Sequence, residues 1–371
     1  MELGQEDQTR LGRRTMTAPS FAGTGDVRTA HRFDEGRLAD WMAANIPGFD
    51  GPLGVEQFNG GQSNPTYKLV TPGRRYVLRR KPPGPLLPGA HAVDREAQVI
   101  RAVEGAGFPV PHVHALCTDD DVIGTWFYVM DMVEGRIFWD AALPGATREA
   151  RAAIYDSMNA AIAQLHRIDP TAIGLGEYGR SGHYIERQVG RWTRQYLADD
   201  IAGRDPNMDR LIAWLPDHVP ATDETALVHG DFRIDNLIFA PDTAELRAVL
   251  DWELSTLGHP LADFAYHLMM YRMPALTIPG LAGSDLAMLG IPSEQDYVAA
   301  YCRRTGRAGI PDLDFYVAFN FFRFAAICHG IKARMVRGNA ASADAGRLAA
   351  DMPVLAALAW EQAERAASQA A

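Results

Sequence analysis

Two short apolar runs, each ending in a carboxylate, constrain this chain more than anything else in it. Ala226-Leu227-Val228 leads into His229-Gly230-Asp231-Phe232-Arg233-Ile234-Asp235-Asn236, and Ala248-Val249-Leu250 leads into Asp251-Trp252-Glu253. Apolar runs of this length, bounded by turn residues, read as buried strands. The first delivers Asp231 on a turn, with the amide of Asn236 five residues on; the second delivers Asp251. That set suits phosphoryl transfer. One carboxylate orients an acceptor hydroxyl, while an amide and a second carboxylate hold Mg²⁺ on ATP. Mg²⁺ favours a few oxygen ligands plus phosphate oxygens, which makes Asn236 and Asp251 the metal candidates and Asp231 the catalytic one. The competing reading is a buried turn in which Asp231 and Asn236 cap local backbone. The flanking strands and the strand-borne Asp-Trp-Glu weigh against it.

The rest of the chain divides by texture. Residues 1–33 are polar and without period, and are expected to be disordered or loosely docked. Asp34 can cap a helix carrying Leu38, Trp41, Met42 and Ile46. Val55–Phe58 and Thr66–Val70 make a hairpin with a Gly-containing tip, Arg75–Arg79 a third strand, and Asp94–Val103 a helix. Strands near Val113–Cys117 and Thr125–Met132 follow. Beyond Val133-Glu134-Gly135, helical patterns dominate over residues 147–165, 184–199, 208–215, 293–305, 315–337 and 344–367. The expected organisation is therefore a loose segment over 1–33, a strand-rich lobe over 34–133 that binds nucleotide, and a helical lobe over 134–371 that holds the catalytic and metal loops.

Composition excludes several classes. The formal charge of −10 argues against a general nucleic-acid binder. Cys117, Cys302 and Cys328 lie far apart, which fits a reducing cytoplasm and no zinc or disulfide framework. No apolar run reaches about 18 residues, so no membrane span is expected. Arg13-Arg14 lacks the following apolar segment of a twin-arginine signal.

Other residues carry weaker signals. Gly60, Gly61, Ser63 and Asn64 lie in a loop whose glycines would let backbone N–H groups approach phosphates. Arg79 ends the third strand and suits bidentate phosphate contact; Lys81, on the same face by period 2, is its substitute. Arg187, Arg191 and Arg194 share a helical face, and Arg323 and Arg334 lie on a later helix. If these faces line the cleft, the substrate carries anionic groups. Tyr266 is a further candidate substrate contact.

The Asp-x4-Asn and later Asp resemble the catalytic loop and metal aspartate of protein kinases, and the His-Gly-Asp opening resembles aminoglycoside phosphotransferases and choline kinases. Over residues 34–340 the chain resembles that superfamily. Phe58-Asn59-Gly60-Gly61-Gln62-Ser63-Asn64-Pro65-Thr66-Tyr67, Arg79-Arg80-Lys81-Pro82-Pro83-Gly84, Phe321-Phe322-Arg323 and Gly338-Asn339-Ala340 look like the kinase-like domain fused to acyl-CoA dehydrogenases. The resemblance implies a bilobal, protein-kinase-like α+β fold, with a small antiparallel sheet and one main helix in the first lobe. It implies ATP and Mg²⁺ between the lobes. Arg79 stands where kinases carry a lysine, with Glu96 as its helical partner. Phe127–Val133 would be the hinge, with Met130 walling the adenine and the backbone of Asp131 and Val133 bonding its edge. Arg233 would stabilise the transferring phosphoryl.

The expectation is thus a small-molecule O-phosphotransferase acting on a hydroxylated compound, with hydroxyacyl-CoA a candidate from the fused relatives. An antibiotic kinase would need an acidic acceptor pocket, and a choline-type kinase an aromatic or acidic cage. A non-catalytic nucleotide-binding module usually lacks one metal ligand. A homodimer is left open.

Overall fold

Period-2 alternation sorts the first strands into a sheet with two apolar faces. In the computed structural model, which describes residues 23–59, 64–84, 91–338 and 345–370, six strands pair antiparallel in the order β1-β2-β3-β4-β6-β5. They are β1 (Thr24–Gly25), β2 (Gly54–Phe58), β3 (Thr66–Val70), β4 (Arg75–Arg80), β5 (Val113–Cys117) and β6 (Phe127–Asp131). Tyr76 and Leu78 of β4, with Phe127 and Val129 of β6, pack with Leu38 and Met42 of α1 (Glu35–Asn45). Val77, Tyr128 and Met130 have the opposite parity and pack with Ala97, Ile100 and Val103 of α2 (Val93–Gly105). This second core continues without a break into the helical half of the molecule. Arg79 shares the parity of Val77, so β4 carries it to the α2 side.

Residues 1–22 of the segment expected to be loose lie outside the described residues. Residues 23–33 dock on the sheet: β1 pairs with β2, Tyr67 donates to the His31 carbonyl at 3.1 Å, and Phe33 stands edge-on to Tyr67.

The short α3 (Asp120–Ile123) packs on α1 beside the sheet. The second lobe is built from α4 (Arg148–Arg167), α5 (Tyr184–Leu197), α6 (Pro206–Trp214), α7 (Pro260–Arg272), α8 (Leu286–Leu289), α9 (Glu294–Thr305), α10 (Leu313–Val336) and α11 (Ala345–Ala370). Two small ribbons lie among them: β7 (Ala226–Val228) with β10 (Thr256–Gly258), and β8 (Leu237–Phe239) with β9 (Leu246–Val249). The architecture is the expected α+β one. Each expected helix is present to within a turn, and α7 and the short α3 and α8 are additions. Among the described residues, no helix is long and apolar enough to cross a membrane.

Helix α7 positions the loop between β7 and β8. His259 caps its N-terminus and Pro260 fills the first turn, where no N–H is required. Both oxygens of its buried Asp263 accept backbone N–H groups, from His229 and Gly230, each at 2.8 Å. His166 of α4 stands 3.2 Å away. Burial opposes the charge on Asp263, but His166 and the amide donors hold its pKa below the ordinary carboxylate value. At its far end, Arg272 reaches Glu294 of α9, Asp314 of α10 and Gln362 of α11. The helix is therefore pinned at both ends.

Removing the Asp263 carboxylate would leave two buried amides unpaired, at about 1–3 kcal/mol each. Asp263→Ala is expected to lower the unfolding free energy by about 3–5 kcal/mol in urea titration. A loss under about 1 kcal/mol would show that the loop is held by other means.

Candidate active site

The turn after β7 is narrow enough to specify its own residues. Gly230 has φ +82°, and a Cβ there would come within 2.7 Å of the Leu254 carbonyl, so a side chain does not fit. His229 is a strut. Its Nε2 meets the Leu250 carbonyl at 2.9 Å, and its Nδ1 accepts the Asp231 N–H at 3.2 Å. The neighbouring carboxylate of Asp231 is held from three sides. Tyr266 of α7 donates to Oδ1 at 2.5 Å, Arg233 Nε lies 3.2 Å from the same oxygen, and Asn236 Nδ2 donates to Oδ2 at 3.2 Å. Asn236 also bonds the Asp231 carbonyl at 2.9 Å. Arg233 pairs with Asp235 as well, at 3.0 Å. Burial opposes the charge on Arg233, but Asp231 and Asp235 outweigh it and raise its pKa. Burial pushes the Asp235 carboxyl up against the pull of Arg233.

Across the cleft, Asp251 follows β9 in a left-handed conformation, φ +64°. Such placements of a non-glycine residue are uncommon, with Asp and Asn among those that tolerate them. Arg79 reaches Asp251 Oδ1 at 2.6 Å, Glu253 at 3.3 Å and Glu96 at 2.8 Å. Tyr128 donates to Glu96 at 3.2 Å. One arginine thus serves three carboxylates. Lys81 takes no part in this cluster: its Nζ lies 3.8 Å over the Trp126 ring and 4.0 Å from Asp94.

One expectation needs correction. The Asn64 side chain is committed within the protein: it is fully buried, and its Nδ2 donates to Glu96 at 2.8 Å and Glu253 at 3.4 Å, while its Oδ1 meets His91. It fastens the end of its loop to α2. Asp131 gives its backbone N–H to the His112 carbonyl at 2.9 Å. Gly60, Gly61 and Ser63 lie outside the described residues. Met130 is buried on the α2 side of the sheet, and Val133 is half-buried two residues past β6.

The basic residues are not one face. Arg187 turns back to the carbonyls of Gly182 and Arg180, while Arg191 and Arg194 of α5 and Arg334 of α10 are exposed. Arg323 is buried beneath the turn at Gly230, bonded to the Gly230 carbonyl at 2.8 Å, with its guanidinium 5.1 Å from the Tyr266 ring centre. Sequence reasoning missed an apolar chamber beside Arg233 and Tyr266, lined by Trp139, Phe232, Met270, Met273 and Phe324. Its residues come from distant segments with no shared period. It also missed Glu253 as a partner of Arg79, although Asp-Trp-Glu places it two residues from Asp251.

Asn236 and Asp251 are the residues that could hold a cation. Asn236 directs Nδ2 at Asp231, so Oδ1 is the atom it can offer, and Asp251 already holds one cation, the Arg79 guanidinium. An amide oxygen, a carboxylate and phosphate oxygens form an appropriate set for Mg²⁺. Among the described residues, no group of three or more His, Cys, Asp or Glu is assembled for a metal.

Burial pushes the Glu96 carboxyl up to about 7 from 4.5, against the pull of Arg79 and with Asp251 and Glu253 adding to the rise. A raised carboxyl pKa stabilises the fold fully below pH 4.5, and that contribution is lost as pH climbs through 7. Wild type is therefore expected to lose on the order of 3 kcal/mol more than Glu96→Gln across that window. Urea unfolding at pH 5 and pH 8 measures it; parallel losses in the two proteins would refute the assignment.

A model of a phosphotransferase enzyme family matches residues 54–316. Acyl-CoA dehydrogenase family member 10 of Mus musculus is 46% identical over 317 residues, covering 85% of this chain and 30% of its own length. Acyl-CoA dehydrogenase family member 11 of Gallus gallus is 46% identical over 354 residues, covering 92% and 45%. The chain thus spans less than half of these relatives. A Ralstonia eutropha protein described as a candidate aminoglycoside phosphotransferase superposes with a TM-score of 0.83 at 48% identity, covering 90% of this chain and 99% of that one. An aminoglycoside phosphotransferase, APH(4)-Ia, solved with AMP-PNP and hygromycin B, shares the fold at a TM-score of 0.57 and 15% identity. The sequence match over most of the chain and the shared kinase-like fold agree, and the chain belongs to the phosphotransferase enzyme family.

Proposed function

We propose that this phosphotransferase moves the γ-phosphoryl group of ATP, with Mg²⁺, to a hydroxyl on a small anionic or acyl-linked molecule. The observation that carries this reading is the joining of Asp231 to Asn236 at 3.2 Å, beside an Asp251 that already holds a cationic group at 2.6 Å. Asp231 orients the acceptor hydroxyl and accepts its proton as the oxygen attacks phosphorus. Asn236 and Asp251 would hold the metal, which would neutralise charge on the phosphate oxygens. Arg79 exchanges Asp251 for phosphate, with Glu96 steadying it from behind. Arg233 supplies positive charge to the transferring group.

The acceptor class rests on the similarity to acyl-CoA dehydrogenase family members over most of this chain. The chamber beside Tyr266, about 50 Å³, is walled by Trp139, Met273 and Phe324 and has room for an apolar group of a few atoms.

Asp231→Asn is expected to retain Mg-ATP binding by calorimetry while turnover falls about 10²–10⁴-fold. Near-native turnover would remove Asp231 from the base role. In an ATP-consumption screen, hydroxyacyl-CoAs are expected to be turned over and kanamycin-type compounds not. The reverse pattern would sink the acceptor assignment and leave the phosphotransferase assignment standing.

A further inference from the structure

Tyr266 makes an unusual contact for a residue outside the catalytic loop. It lies three residues beyond Asp263 on α7, so one helical face supplies both the carboxylate that holds the loop's amides and a hydroxyl that meets Asp231. An ionised carboxylate has about four acceptor positions. On Asp231, one is met by an amide of its own loop, Asn236, while Arg233 lies 3.2 Å away as an ion pair. A second is met by an O–H, that of Tyr266, at 2.5 Å. Burial, with the charge of Asp231 adding to it, pushes the phenol pKa up, so it remains a donor at neutral pH.

An acceptor alcohol presents the same group to the same carboxylate: an O–H on an arm. Tyr266 also forms part of the apolar chamber wall, and its ring faces the Arg323 guanidinium 5.1 Å away. It therefore stands between the chamber and the base. Water is small enough to reach a carboxylate that is 20% exposed, and a kinase that activates water hydrolyses its ATP to no purpose. The hydroxyl on Oδ1 closes one such position to water.

We propose that Tyr266 is a specificity-determining residue that sets acceptor against water: its O–H occupies the acceptor's place on Asp231 until an acceptor alcohol displaces it. The proposal rests on the phosphotransferase reading. The suppressed reaction is the attack of a water oxygen on the γ-phosphorus of ATP. The bond to the β-bridging oxygen breaks, ADP leaves, and the water proton passes to Asp231 and then to solvent.

The probe is Mg-ATP alone, with no acceptor. A hydrogen bond to a charged group corresponds to about one order of magnitude in occupancy of its position. Tyr266→Phe is therefore expected to raise acceptor-free ATP hydrolysis about tenfold over wild type, with Mg-ATP affinity within about twofold. The gain is expected to vanish in Asp231→Asn/Tyr266→Phe, since it requires the base. A purely structural role would lower hydrolysis. Hydrolysis in Tyr266→Phe equal to or below that of wild type overturns the proposal, as does a gain that survives loss of Asp231. If Tyr266→Phe does not fold, Tyr266→Met also lacks the O–H and carries the same expectation. Calorimetry of Mg-ATP binding to wild type separates the two readings: absence of binding is a failure of the phosphotransferase assignment itself, while binding without a gain in the variant is a failure of Tyr266 alone.

Discussion

Two backbone amides converging on one buried carboxylate hold the catalytic half of this molecule in place. The turn at His229 and Gly230 has to be tight, because Gly230 passes against the Leu254 carbonyl with no room for a Cβ. Its N–H groups point inward and need acceptors in a region without water. Asp263 supplies both, and it can do so only because α7 is rigidly seated. Arg272 fixes the end of that helix to three others through Glu294, Asp314 and Gln362. The placement of Asp231 thus depends on contacts made at the far end of α7, well outside the cleft.

The cleft sets two guanidiniums among five carboxylates. Arg79 lies among Glu96, Asp251 and Glu253, and Arg233 between Asp231 and Asp235. Arg79 is buried, and a lone buried charge would be far more costly than a paired one. Carboxylates outnumber arginines in both groups, which suits a further cation. On the proposed function, Asp251 would turn from Arg79 to the metal, and Arg79 from Asp251 to phosphate. Asn64 and Tyr128 contribute by fixing Glu96, the one carboxylate of the set that need not move.

Much of this was legible in the sequence because the features were local. The strand pattern places Arg79 at the end of the third strand, and the apolar runs ending in Asp231 and Asp251 predict β7 and β9. What could not be read was set by distant contacts. Asn64 looks like any polar loop residue until Glu96 and Glu253 are brought to it, 32 and 189 residues away. The apolar chamber draws on Trp139, Phe232, Met273 and Phe324, which share no period.

Helix α7 is the sharpest case. Residues 260–269 are all buried, so the helix has no polar stripe and the 3.6-residue periodicity that marks an amphipathic helix is lost. His259-Pro260 was its one local sign, a capping residue followed by proline at the first turn. The element that sequence reasoning overlooked is therefore the one that carries Asp263 and Tyr266. This follows from its task. A helix that must supply a carboxylate to buried amides on one face and pack against α10 on another has no face left for solvent. The burial that makes it a good scaffold is what hides it from a search for amphipathic pattern.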